Sequence, residues 1–260
     1  MNKYLTTTLG IGFIFLMTTL GSTLVFFFRK NLNAKFKELF LGLASGVMVA
    51  ASVWSLLIPA LAADTAPLPG YAVAVIGFLL GGLFLYAIDK AVPHLHAGNG
   101  KSEGRPSTLN RTSKLFLAVT IHNIPEGLSV GLAFGLALTG SDPALISAGL
   151  GLALGIGIQN FPEGAALALP IKEETKSAWK GFAYGTLSGA VEPVAALIGL
   201  ALAAGLTPLM PWALSFAAGA MIYVVIDELI PSSSNEDSHF GVFGAMIGFA
   251  VMMVLDVALG

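Results

Sequence analysis

Eight apolar runs dominate the chain, at residues 4–28, 37–62, 70–92, 114–139, 143–171, 179–205, 209–230 and 239–259. A hydrocarbon core of about 30 Å takes about 20 helical residues to cross. Inside lipid each backbone N–H and C=O must find its partner within the protein, which for separate single runs means α-helices. Only 11% of the 260 residues are charged, against roughly 25% in a soluble domain. Too little polar surface exists to coat a water-soluble globule. The expected fold is an all-α integral membrane protein: a single transmembrane domain, residues 1–260, of eight helices. Its 31 glycines and 13 prolines suit helices that pack closely in lipid. The first run is too long for a secretory signal and ends without a small-residue cleavage site, so it reads as a retained span.

The short connections fix an orientation. Arg29, Lys30, Lys35 and Lys37 lie between the first and second runs, and Lys90, Lys101, Arg105, Arg111 and Lys114 around the third connection. Lys172, Lys176 and Lys180 bracket the fifth, which leaves only Lys3 on the other side. By the positive-inside rule the basic side is cytoplasmic and both termini are extracytoplasmic. A net charge of -2 without a basic tail argues against a nucleic-acid partner. With 0 cysteines there is no thiolate nucleophile or thiolate metal site. No phosphate-cradling Gly-rich loop with its Lys is present, which argues against ATP-driven pumping.

Internal repeats come next. His122-Asn123-Ile124-Pro125-Glu126-Gly127 in the fourth run recurs 37 residues later as Gln159-Asn160-Phe161-Pro162-Glu163-Gly164 in the fifth, which crosses in the opposite direction. More weakly, Ala44 to Met48 followed by Leu57-Ile58-Pro59 resembles Ala217 to Met221 followed by Leu229-Ile230-Pro231, after one single-residue slip. The pattern suggests a 3+2+3 arrangement, two inverted halves around a central antiparallel pair.

That pair carries charges that lipid should forbid. An ionisable side chain at the bilayer centre costs roughly 2.5 to 3.5 kcal/mol on insertion scales. His122 and Asn160 each lie 19 residues from Ser141, at the outer turn, and so at equal depth. Lys114, at the inner edge, is eight residues from His122, about 12 Å, so this depth is near the midplane. Spacings of three and four place His122, Asn123 and Glu126 on one stripe, and likewise Gln159, Asn160 and Glu163. Pro125 and Pro162 free the carbonyls of Ile121 and Ile158 from helical bonding. Gly127 and Gly164 permit a neighbouring backbone to come close. Glu192, followed by Pro193, is a third mid-depth carboxylate. Three glutamates within about 5 Å would repel by roughly 3 kcal/mol per pair at an effective dielectric of 20. Protons or a divalent cation can offset this, and no Lys or Arg is expected at that depth. Imidazole nitrogen mixed with carboxylate oxygen suits zinc, iron, manganese or cobalt, whereas missing thiolates disfavour copper(I).

The doubled Asn-x-Pro-Glu-Gly motif in consecutive spans, with eight spans and both ends outside, resembles the ZIP (Zrt/Irt-like) family of divalent metal transporters, in a prokaryotic form. The resemblance covers nearly the whole chain. It implies a two-metal centre: His122, Glu126, Gln159 and Glu163 at one site, and Asn123, Asn160 and Glu192 at the other, with Glu126 and Glu163 bridging. Met48 falls where family members contribute a thioether, though it reads equally as a packing side chain. Asn160 stands where some bacterial members have Asp, which removes one negative charge from the second site.

The resemblance also implies release through an inner rim, with His94, His96, Asp227 and Glu228 as candidates. Asp64 or Asp142 would line the outer entry. The expected function is alternating-access import of a divalent cation, zinc foremost and also iron, manganese, cobalt or cadmium, across a bacterial inner membrane. Metal is then substrate and no cofactor is needed; an elevator-like motion and a homodimer are further implications of the resemblance. The alternatives are a passive metal channel and an intramembrane metal hydrolase, the latter disfavoured by the missing His-Glu-x-x-His.

Overall fold

The computed structural model describes residues 2–28, 33–95, 102–234 and 237–259. Eight helices long and apolar enough to cross a membrane run through them: α1 (Lys3–Phe27), α2 (Ala34–Ala62), α3 (Gly70–Ala91), α4 (Arg111–Thr139), α5 (Ala144–Thr175), α6 (Ala178–Gly205), α7 (Met210–Ser233) and α8 (Phe240–Leu259). They coincide with the eight apolar runs to within a few residues. The largest differences are at polar ends, where α5 extends by a turn to Thr175, α7 by three residues to Ser233, and α2 and α4 begin three residues earlier. Apolar length sets the minimum span, and capping sets the end. Asn33 accepts from the Lys35 N–H, Asn110 from Ser113 and Ser177 from Lys180, so α2, α4 and α6 start where a side-chain oxygen satisfies a free backbone donor.

Lysines close two helix ends from outside. Lys3 Nζ donates to the carbonyls of Ala137 and Gly140 at 3.0 and 3.3 Å, at the C-terminus of α4. Lys172 Nζ donates to Val25 and Phe28 at 2.5 and 2.8 Å, at the end of α1. A cation at a helix C-terminus meets carbonyls that have no helical donor and the negative end of the helix dipole. Lys3, the one basic residue on its side of the sequence-derived topology, thus has a structural task.

The packing has a clear inside. Of the most apolar window of α4, 72% is buried, whereas α3 and α8 bury 28% and 22% and present Leu79, Leu83, Phe243 and Val254 outward. Helix α1 lies along α5 and α6 along α4; α2 lies along α8 and α7 along α3; α4 and α5 touch each other. Two π-helical segments interrupt α2 at Ser52–Leu57 and α7 at Val225–Leu229. Each is followed by Ile-Pro (Ile58-Pro59 and Ile230-Pro231). The single-residue slip between the weak repeats falls within these unequal segments, where a wider turn accommodates an added residue.

Sequence patterning did not reveal the short β-hairpin after α3, in which His94–Leu95 (β1) pairs antiparallel with Ser102–Glu103 (β2). Leu95 packs in a small cluster with Leu115, Val119, Leu167 and Ile171, across the ends of α4 and α5 that carry the basic residues.

Candidate metal centre

The repeated motif places its polar side chains inside the bundle. His122, Asn123, Glu126, Gln159, Asn160 and Glu192 are all buried, none more than 8% exposed. Close packing brings them together. A Cβ built on Gly127 would stand 2.3 Å from the Glu192 carbonyl oxygen, and one on Gly164 would stand 2.1 Å from that of Thr18. No side chain fits at either distance, so glycine allows α4 to pack against α6 and α5 against α1 at the depth of the glutamates.

The carboxylates do not converge on one point. Gln159 Nε2 donates to Glu126 Oε1 at 2.7 Å. Glu192 forms a second group, accepting from Asn160 Nδ2 at 2.8 Å, from Thr18 Oγ1 at 2.8 Å and from Asn123 Nδ2 at 3.3 Å. Asn123 Nδ2 also reaches the Ser188 carbonyl at 3.1 Å. Glu163 is only half-buried and lines a narrow cavity with Lys37, Phe40, Leu41 and Leu229. Both Glu163 and Glu192 lie within electrostatic reach of Glu126. Among the described residues, no three His, Asp or Glu side chains are arranged to hold an ion by themselves.

The amides change that picture. Glu126 Oε2, Gln159 Oε1, Asn123 Oδ1 and Asn160 Oδ1 are buried and accept no hydrogen bond. A buried polar atom without a partner costs about 1 to 3 kcal/mol, and native interiors contain few of them. Four in one region, all oxygen acceptors, define a site short of positive charge or donors. Three are carbonyl oxygens of neutral amides: that of Gln159 beside Glu126, and those of Asn123 and Asn160 beside the Glu192 group.

His122 faces another way. Its Nε2 lies 3.1 Å from Glu228 Oε2. Expected on the inner rim, Glu228 is instead buried at 4% exposure, because the π-helical segment of α7 turns it inward toward α4. Its sequence neighbour Asp227 is exposed and borders a groove with Tyr86 and Tyr223. His94, also assigned to a rim, is buried; its Nδ1 lies 3.0 Å from the Val92 carbonyl and its Nε2 3.6 Å from Asp89 Oδ1. His96 lies outside the described residues. Met48 is buried in the main apolar cluster, as is Met221 of the related segment. Asp64 and Asp142 are in the connections after α2 and α4, where Asp142 Oδ1 accepts from the Ala144 N–H at 2.9 Å.

Several polar residues escaped the sequence reading. Thr18 gave no signal, since a threonine is unremarkable in an apolar helix. Asp89 and Asp256 did give one, as carboxylates within apolar runs, and both are buried. Ser55 Oγ donates to Asp256 Oδ1 at 2.5 Å, joining the π-helical segment of α2 to α8. The sequence also leads us to expect no protein cation near the glutamates. Lys37 starts at the edge of α2, but it lines the same cavity as Glu163. A lysine can bury its four-carbon stem along apolar surface and deliver its ammonium some distance from its own Cα.

An eight-helix bundle with a lipid-facing apolar exterior and its polar side chains gathered between the central helices is the construction of a multi-pass membrane transporter. The family description ZIP Zinc transporter matches residues 109–256, which include both central motifs. The human zinc transporter ZIP11 is 35% identical to this chain, over 97% of it and 96% of the human protein. The zinc transporter GufA of Myxococcus xanthus is 41% identical over 71% of this chain and 70% of its own length. The zinc transporter ZIPB of Bordetella bronchiseptica is 36% identical over 95% and 79%. This chain belongs to the ZIP zinc transporter family, a family of transporters and not of enzymes.

Proposed function

We propose that the chain carries zinc, and with lower selectivity iron, manganese, cobalt or cadmium, into the cytoplasm of a bacterial cell through a two-site centre between α4, α5 and α6. The observation that carries this reading is the set of four buried oxygens without donors, on Glu126, Gln159, Asn123 and Asn160. A dication supplies what they lack. Gln159, Glu126, His122 and Glu163 hold it at one site; Asn123, Asn160 and Glu192 hold it at the other. Neutral amides add oxygen without charge, so the ion is held loosely enough to leave. The amide donors now engaged by Glu126 and Glu192 keep the carboxylates apart until an ion replaces them.

Exposure of the centre to each side in turn completes the cycle. The packing pairs support two inverted halves, because α1 on α5 and α2 on α8 correspond to α6 on α4 and α7 on α3 when the halves are exchanged. Such halves let one set of helices shift against the other around a central site. The basic connections orient the carrier with both termini outside the inner membrane, and a homodimer is the expected assembly.

The test is zinc uptake into liposomes by the purified full-length chain and its Glu163→Ala variant. Saturable uptake by the first, lost in the second with the fold intact, is the expected result. Equal uptake by both removes Glu163 from the centre. Flux that does not saturate with zinc makes the protein a channel.

A further inference from the structure

Two cavities open below the metal centre, and Lys37 lines both. The narrower, about 20 Å³, has room for about one water, and among the described residues Lys37 and Glu163 are its only polar lining. The wider, about 400 Å³, is bordered by Arg111, Glu173 and Glu174 near the basic end of the bundle. Apart from Lys37, the only described residue common to both is Ala166, a methyl group on α5. Any ion that passes from Glu163 to the wide cavity by this route therefore passes the Lys37 side chain. Glu228, which holds His122, is also within electrostatic reach of Lys37.

We propose that Lys37 is a tethered cation that competes with the transported ion for Glu163, displaced while a dication occupies the centre and returning to the carboxylate as the ion leaves. The proposal rests on the transport reading above and deepens it by naming a group that governs release. The physics is mutual exclusion. In a cavity otherwise lined by apolar side chains, an ammonium and a carboxylate attract more strongly than in water, and an ammonium and a dication repel by the same rule. The lysine stem is unbranched and flexible, so the charge moves by side-chain rotation alone. Once the ion has gone, Lys37 offsets part of the repulsion among the glutamates. The empty carrier then crosses back without carrying three uncompensated charges. The acidic pair Glu173 and Glu174 stands beyond Lys37 on the side where the ion emerges.

Lys37→Met removes the charge and keeps the length of the stem, whereas Lys37→Arg keeps the charge. Zinc binding to the full-length protein in detergent, measured by calorimetry, should tighten about tenfold in Lys37→Met, allowing for screening near the mouth. Lys37→Arg should stay within about threefold of wild type, and uptake at saturating zinc should slow in Lys37→Met because release is delayed. A merely structural lysine would weaken binding or leave it unchanged when replaced by Met, and either result overturns the proposal. So does equal tightening in both variants. Lys37→Gln is read in the same way should Lys37→Met fail to fold. A wild-type chain that neither binds nor transports zinc overturns the transport reading and this one together. A wild-type chain that does both, with Lys37→Met no tighter, overturns this one alone.

Discussion

Asn160→Asp adds one charge at a known place. Asn160 Nδ2 now donates to Glu192 Oε2 at 2.8 Å. The substitution exchanges that donor for a carboxylate oxygen facing another. A hydrogen bond to a charged group contributes about 1.5 to 3 kcal/mol. Two like charges about 4 Å apart repel by about 4 kcal/mol at an effective dielectric of 20. The sum is an upper bound, because the two carboxylates can share a proton. A net loss of only about 2 kcal/mol would still lower the melting temperature of the metal-free protein by about 4 to 8 °C for a domain of this size. Zinc should reverse the sign, since the same repulsion becomes attraction toward a dication. A tenfold gain in affinity adds about 1.4 kcal/mol of stabilisation at any zinc concentration well above the dissociation constant. The assay is thermal unfolding in detergent, with chelator and across a zinc series, for wild type, Asn160→Asp and Asn160→Ala. The Ala variant loses the hydrogen bond without adding charge, so it should be destabilised in both conditions. An Asp variant whose metal-free stability and zinc response both equal those of wild type would refute a cation site at Glu192.

Gly164→Ala should destabilise the protein by about 1 to 3 kcal/mol, because the new methyl would meet the Thr18 carbonyl oxygen at 2.1 Å. Gly12→Ala is the control: nothing lies within 4 Å of its Cβ, so it should be neutral or slightly stabilising in a thermal scan. Ser55→Ala removes the 2.5 Å hydrogen bond to Asp256 and should cost about 1.5 to 3 kcal/mol in the same scan.

What the sequence disclosed follows from what lipid penalises. Spans were legible because a bilayer requires a minimum apolar length, and their ends less so because capping by Asn33, Asn110 or Ser177 is a local choice. The motif glutamates were legible because a charge in an apolar run needs a reason. Thr18, by contrast, matters only because Gly164 admits α1 so closely that its hydroxyl reaches Glu192. Lys37 was placed by the position of its Cα, at the edge of a helix, whereas its charge acts at the end of a flexible stem. Glu228 was assigned to the rim by what the family resemblance implies and by its place beside Asp227, near the end of the seventh run. Within a π segment, place along the run fails to give the direction of a side chain.

That failure bears directly on His122. A π segment adds a residue to a helical turn and redirects the side chains inside it, and in α7 it spans Val225–Leu229. Glu228 turns inward to His122 while Asp227 stays exposed. The imidazole then has a carboxylate at one nitrogen, which holds the ring in one orientation as outer partners do for metal-binding histidines. This predicts a separation between two variants. Glu228→Leu removes the acceptor, leaves the buried nitrogen unpaired and should weaken zinc binding by roughly tenfold to a hundredfold. Glu228→Gln keeps a carbonyl oxygen at the same reach and should recover most of that loss. Calorimetric zinc titration of the two proteins decides the matter. If Gln binds as poorly as Leu, the charge of Glu228 acts on the ion itself and not through the orientation of His122.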